Sequence, residues 1–325
     1  MKKGKLLYNS LVRSVLRVPF LQRESDHIGR DGAFSGSENG ITVNTTVYGG
    51  KDAEKLAFYR AFNGALAAGI EPETAELSLL FPLSEIEPSV KRRMEAFQCV
   101  ASAEGVRITG GHTACSDSVS SPVYTVVIAG KRWRKDGRIQ QEFSAEDLEG
   151  RDLIFTKTAG AAGAFVIGNE KREMLRKRFS SAFLDGMEPV GESFSCRKEA
   201  DILRAHDALL HDVSEGGALS ALYELSEGFQ AGFSVDMKEI PLKQETVEIC
   251  EFFDLSPYSL LSTGSMLAAV RDGEAVVEEL TQAGIEAAVI GQIRKGHGKI
   301  LRKGEEEGFL ERPDADDLMK LEIFG

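Results

Sequence analysis

Cysteine is scarce in this chain, and its four copies, Cys99, Cys115, Cys196 and Cys250, lie far apart without a CxxC pair or histidines at ligand spacing. That scatter argues against a zinc site and against a disulfide framework. Long apolar runs are missing as well. Nothing approaches the roughly 18 residues needed to cross a bilayer, and the start Met1-Lys2-Lys3-Gly4-Lys5-Leu6-Leu7-Tyr8 lacks a signal-peptide core. A cytoplasmic protein with no membrane partner is expected. Positive charge is also short: 39 Lys and Arg against 51 Asp and Glu leave a formal net charge of -12. Phosphate-backbone binding needs clustered cations, so no nucleic-acid partner is expected. The basic stretch Lys131-Arg132-Trp133-Arg134-Lys135 runs into Asp136-Gly137 and reads as a hairpin with a solvated tip. No internal repeat is visible.

What is present describes a soluble globular protein, 42% hydrophobic and 28% charged over 325 residues. That length exceeds one ordinary core and suits two domains, 1–150 and 151–325. After an amphipathic start broken by Gly29, Gly32, Gly36 and Gly40, a strand is expected over Ile41–Tyr48. Leu56, Tyr59, Phe62 and Leu66 recur at spacings of three and four, the stripe of a helix packed on one face. Leu77–Phe81 reads as a buried strand, and Val90, Met94, Phe97 and Ala101 trace a second helix. Val106–Thr109 and Val123–Ala129 are strands enclosing a loop with Gly110, Gly111, His112 and Thr113. An acidic stretch from Glu142 to Glu149 ends in Gly150, the domain boundary. Asp152–Thr156 restarts a buried strand and feeds the glycine-rich turn Lys157-Thr158-Ala159-Gly160-Ala161-Ala162-Gly163, which is neither a P-loop nor a dinucleotide fingerprint.

Further on come a basic helix near Glu170–Phe183, a helix after Gly217 and another at Glu245–Phe253. The loop Leu261-Ser262-Thr263-Gly264-Ser265 then leads into the strand Met266–Val270, a helix at Glu274–Ala283 and a strand at Ala287–Ile293. Helices and strands alternate without a regular βα cadence, so the expected class is α+β.

The chemistry concentrates in His211-Asp212-Val213-Ser214-Glu215-Gly216-Gly217. An imidazole, two carboxylates and a hydroxyl precede a paired-glycine turn that opens a helix, and a helix start offers unpaired N–H groups to an anion. Glycine permits positive φ and close backbone approach there. Two readings stand side by side. His211 is a general acid or base, or a core histidine bonded to its own strand. Asp212 and Glu215 are site carboxylates, or they cap and polarise the helix start.

In this order, Gly110-Gly111-His112-Thr113, Asp152–Lys157 with Gly160 and Gly163, His211–Gly217, Glu248–Phe253 and Leu261–Leu267 resemble the aminoimidazole ribonucleotide (AIR) synthase superfamily over nearly the whole chain. Its members include hydrogenase-maturation HypE, selenophosphate synthetase, thiamine-monophosphate kinase and FGAM synthase. The chain looks most like the HypE-like, AIR synthase-related branch. The resemblance implies a two-domain α+β architecture. The N-terminal domain pairs across a homodimer into a barrel, and the C-terminal domain covers a long cleft. It also implies binding of ATP and Mg²⁺ and phosphoryl transfer to an oxygen of a small or peptide-borne substrate.

Carried onto this sequence, His211, Asp212 and Glu215 are the catalytic candidates. The nucleotide-binding candidates are Asp31, Asn63, Gly110, Gly111, His112, Thr113, Lys157, Gly160, Gly216, Gly217, Thr263, Gly264 and Ser265. Asp31 and Asp212 are the metal candidates. The departures are specific. The motif G-[DE]-D-A-A reads Gly29-Arg30-Asp31-Gly32-Ala33, the aspartate ending the next strand falls at Thr46, and the Asn-Asp pair on the following helix reads Asn63-Gly64. Mg²⁺ needs oxygen ligands, usually carboxylates plus phosphates, so weakened metal binding is expected. HypE ends in an acceptor cysteine where this sequence reads Leu321-Glu322-Ile323-Phe324-Gly325, and Cys250 is read as a buried structural thiol. The rival expectation is a non-catalytic paralogue that keeps the dimer scaffold and binds a nucleotide, an anion or a protein.

Overall fold

The computed structural model describes residue 14 and residues 31–135, 138–139, 143–187, 194–321 and 323. The amphipathic start, Arg30, the hairpin tip Asp136-Gly137 and Glu142 lie outside them. In the first half, β1 (Ala33–Ser35), β2 (Asn39–Thr46), α1 (Ala53–Ala67), β3 (Ile70–Pro82), α2 (Glu87–Ala103), β4 (Arg107–Ser116) and β5 (Val123–Arg132) follow in order. Their strands form one sheet in the order β1-β2-β5-β3-β4. The short pair β6 (Arg134–Lys135) and β7 (Arg138–Ile139) flanks the hairpin tip.

The second half holds β8 (Asp152–Thr156), α3 (Ala161–Glu170), α4 (Arg197–Ala205), β9 (Leu209–Val213), α5 (Gly217–Phe229) and β10 (Gly232–Asp236). It continues with α6 (Gln244–Phe253), β11 (Ser265–Val270), α7 (Gly273–Gln282), β12 (Ala287–Arg294), β13 (Lys299–Lys303) and β14 (Glu306–Phe309). These strands make a seven-stranded sheet, β14-β13-β10-β12-β8-β11-β9. Two mixed sheets with helices packed on them make the fold α+β.

Helix α1 decides how the halves meet. The apolar stripe predicts one buried face, yet α1 is buried on all sides, because it packs on β2, β3 and β5 and also on β9 and α4. Phe58, Phe62, Leu56 and Leu66 are fully enclosed, each contributing about 2–3 kcal/mol of transfer free energy. Phe194 extends this core from the second half: its ring lies 6.5 Å from Tyr59 and 5.8 Å from Phe165. A helix enclosed on every side must also pair its polar residues. Glu54 does so with Arg93 and Tyr124. At the C-terminal end of α1, buried Arg204 donates to the carbonyls of Leu66 and Ile70, a favourable place for a cation.

Three expectations are corrected. Gly110-Gly111-His112-Thr113 is no loop but the middle of β4, paired with Glu76–Leu79 of β3. Gly111 has φ +150°, and a Cβ there would stand 2.0 Å from the Leu77 carbonyl oxygen, so the glycine serves close strand approach. The basic stretch after Glu170 is not one helix. It breaks into short turns at Arg172–Leu175 and Ser181–Asp185, consistent with like charges one turn apart at Arg172 and Arg176. Finally, β10, β13, β14 and α4 are elements that the apolar pattern did not reveal.

Candidate functional site

The candidate site forms where the edge strand β9 meets the first half. An edge strand leaves backbone donors unpaired, and here the N–H of Asp212 donates to Asp31 Oδ2 at 3.1 Å. Asp31 is itself fixed through its carbonyl, which accepts from Thr42 Oγ1 at 2.8 Å. Strand alternation separates the neighbours on β9. His211 shares a face with Leu209 and Val213, which pack with Leu222 and Leu225 of α5, while Asp212 turns to the opposite face.

His211 is buried, and its Nδ1 lies 2.8 Å from the Asp212 carbonyl oxygen. A carbonyl only accepts, so that proton sits on Nδ1. The same nitrogen is 3.8 Å from Asp31 Oδ2. Nε2 makes no hydrogen bond and stands 4.0 Å from Glu224 Oε2.

Gly216 holds φ +83° at the start of α5, but its N–H is already engaged, donating to Asp316 Oδ2 at 2.6 Å. Asp316 also accepts from the Leu318 N–H at 2.8 Å. Burial raises the Asp316 carboxyl to about 7, against the pull of those two N–H groups, with Glu215 adding to the rise and Arg60 opposing it. Gly217 is packed from behind, since a Cβ there would meet the Tyr258 and Leu260 carbonyl oxygens at 2.6 Å. The Gly216 N–H at the helix start is therefore taken by the Asp316 carboxyl.

Arg60, absent from the sequence reading, is the cation at this junction. From α1 its Nη1 donates to Thr46 Oγ1 at 3.0 Å and to the Thr45 carbonyl at 3.3 Å. Its Nε reaches Ser214 Oγ at 3.1 Å and its Nη2 reaches Glu215 Oε2 at 2.9 Å. One side chain thus ties β2 to the turn between β9 and α5. A cation inside the apolar run Phe58-Tyr59-Arg60-Ala61-Phe62 was the signal that could have marked it, because a buried charge requires partners.

The other candidates divide. Thr263 joins the junction through its hydroxyl, 3.2 Å from Ser214 Oγ. Ser265 donates to the Thr158 carbonyl, and Gly264 between them has φ +104°. The N–H of Gly160 donates to Ser262 Oγ at 2.7 Å, so the glycine-rich turn packs against this loop. Lys157 bonds the Ser195 carbonyl and buried Glu199, each at 2.6 Å. The Asn63 amide spans two backbone groups, donating to the Phe194 carbonyl and accepting from the Cys196 N–H. Gly110, Gly111, His112 and Thr113 are not brought in: β5 and β3 stand between β4 and β2, about 14 Å of sheet at the usual strand spacing.

Mg²⁺ wants near-octahedral oxygen coordination, supplied by one or two carboxylates together with phosphates and water. Among the described residues no group of three or more His, Cys, Asp or Glu is arranged to hold a metal ion. Asp31 meets Asp212 through the Asp212 backbone N–H, and Arg60 braces the adjoining turn. Among the described residues the donor set makes no all-protein Mg²⁺ cage.

Residues 156–303 match the family "AIR synthase related protein, C-terminal domain", the span that carries β9, the Gly216 turn and the Thr263 loop. The chain is similar to members of the AIR synthase/HypE superfamily in sequence and in fold. This HypE-like chain is 27% identical over 270 residues to a carbamoyl dehydratase HypE of Rhizobium leguminosarum bv. viciae, covering 78% of this chain and 72% of the relative. HypE in a HypE–HypF complex shares the fold with a TM-score of 0.75 at 18% identity, covering 94% of this chain and all 100% of that one. HypE in complex with ATP does so with a TM-score of 0.73 at 16% identity, covering 98% of each. Among the described residues no helix is long and apolar enough to cross a membrane.

Proposed function

We propose that this HypE-like chain binds ATP at the junction of its two halves and transfers a phosphoryl group to an oxygen of a small or peptide-borne substrate in hydrogenase maturation. The observation that carries this is the convergence of Asp31, Arg60, Asp212, Ser214 and Glu215 from both halves on one helix start. Phosphoryl transfer asks for positioning and charge stabilisation rather than covalent participation by the protein. Within this reading Ser214 and the start of α5 hold the phosphate end, and Asp31, Asp212 or Glu215 takes the acceptor's proton. His211 acts from beneath, its Nδ1–H fixing the backbone at Asp212 and its Nε2 facing Glu224. Relatives named as carbamoyl dehydratases and a similar fold solved with ATP support the reading.

A homodimer belongs to the same proposal. Ile41 and Val43 stand 42% and 57% exposed on the outer face of β2, an apolar sheet face of the kind that a second copy would cover.

The second reading, a non-catalytic paralogue, is favoured by one observation: the donors expected to bind phosphate are satisfied within the chain. Asp316 holds the Gly216 N–H and Glu199 holds Lys157. Calorimetric titration with ATP, followed by assay of ADP release with and without His211→Ala, separates the two. Binding with turnover that His211→Ala abolishes supports the enzyme; binding without turnover supports the paralogue; absence of binding removes the nucleotide from both.

A further inference from the structure

Arg60 carries an inference that rests on the nucleotide-binding reading and deepens it. A guanidinium offers five donors in a rigid planar fork, with edges that can serve different partners. Here the edges are divided. Nη1 is spent on β2 through Thr45 and Thr46. The Nε/Nη2 edge, the one suited to two parallel bonds with an oxyanion, faces the turn before α5 and holds Ser214 Oγ and Glu215 Oε2. The Arg60 side chain is 10% exposed and that of Glu215 18% exposed, so the pair is largely enclosed, with Glu215 the more accessible partner.

The neighbouring turn already offers donors to an acceptor oxygen. The Asp316 carboxyl accepts from the Gly216 N–H within electrostatic range of Arg60, although burial holds it above the usual carboxylate range. Among the described residues no group of three or more His, Cys, Asp or Glu assembles to hold a metal ion.

We propose that Arg60 takes the place of a divalent cation at this junction: its Nε/Nη2 edge binds the phosphate chain of a nucleoside triphosphate, Glu215 swings off that edge on binding, and affinity does not depend on Mg²⁺. Phosphate oxygens replace Ser214 Oγ on Nε and Glu215 Oε2 on Nη2 one for one, so the exchange conserves the bonds at the fork while the anion's charge rises. Thr46 supports the role by holding Nη1 with a neutral hydroxyl, which leaves the guanidinium charge for the ligand.

The experiment is calorimetric titration of the intact chain with ATP, in excess EDTA and in excess Mg²⁺, for the wild type, Arg60→Gln, Arg60→Lys and Glu215→Gln, with thermal melting of each. Wild-type affinity is expected to agree within about twofold between the two buffers. Loss of a charge-assisted fork should weaken EDTA-state binding about tenfold or more in Arg60→Gln, with Arg60→Lys between. Glu215→Gln, which removes the resting competitor's charge, should bind ATP several-fold more tightly. A wild-type affinity that falls tenfold or more in EDTA overturns the proposal while leaving nucleotide binding intact. An unchanged or weaker Glu215→Gln, or folded Arg60→Gln and Arg60→Lys that bind as the wild type does, overturns it by reducing Arg60 to a brace between halves. Absence of ATP binding in both buffers removes the nucleotide-binding reading itself, and the proposal with it.

Discussion

Neutralising Asp316 should change how the stability of this protein depends on pH. The Asp316 carboxyl is enclosed where Gly216 and Leu318 donate to it, and burial lifts it to about 7; in the unfolded chain it titrates near 4. Between those values the folded state holds a proton that the unfolded state has released, so stability falls as pH rises through that window. The contribution is fully present below about pH 4 and is lost as pH passes about 7. At about 1.4 kcal/mol per unit the change is at most about 4 kcal/mol. Asp316→Asn keeps the shape and one acceptor but cannot ionise. It turns an amide toward one N–H, a roughly constant cost of about 1–3 kcal/mol. The stability difference between variant and wild type should therefore move in favour of the variant by several kcal/mol from pH 4 to pH 8, the other titrating groups largely cancelling. Urea unfolding of both proteins at half-unit pH steps reads it. Parallel profiles would refute the reasoning, showing that the two N–H groups offset the desolvation of the carboxylate.

Other outcomes follow from other parts of the fold. Val43→Lys places a charge on the exposed apolar face of β2, and light scattering should show its mass falling from dimer to monomer without loss of secondary structure. Asn63→Ala leaves the Phe194 carbonyl and the Cys196 N–H unpaired in a fully buried place, which should cost about 2–4 kcal/mol in chemical denaturation while folded molecules keep their ligand affinity. The Cys250 thiol is pushed up to about 12 by burial, and that of Cys196 well above its ordinary value by the same cause. Both should resist alkylation at pH 8 in the native protein, Cys99 should react, and mass mapping of modified peptides decides the matter.

Much of the fold could be read from residue order. The α1 stripe, the strands at β5 and β8 and the helix opened by Gly216-Gly217 appear where the apolar spacing and the glycines put them, because period and turn chemistry are local properties. The strands β10, β13 and β14 escaped notice because each is short and, unlike the apolar run Leu153-Ile154-Phe155 in β8, carries its few apolar residues among glycine, polar or charged ones. Gly110-Gly111 misled for the opposite reason: paired glycines mark a turn in most local contexts, and only the parallel neighbour β3 shows that one of them makes room for the Leu77 carbonyl.

What the sequence determined alone was the family-like order of motifs and the gathering of chemical groups in His211–Gly217, because those depend on neighbours along the chain. The tertiary structure decided which groups act together. It sent His211 and Asp212 to opposite faces of β9, brought Asp31 onto the strand edge, and committed Asn63 and Lys157 to partners from distant segments. It set Asp316 on the Gly216 N–H and joined Arg60 to Ser214 and Glu215 across more than 150 residues. The reason is physical: a buried cation, carboxylate or strand edge takes as partner whatever the packing of two sheets places within about 3 Å, and no local pattern records that distance.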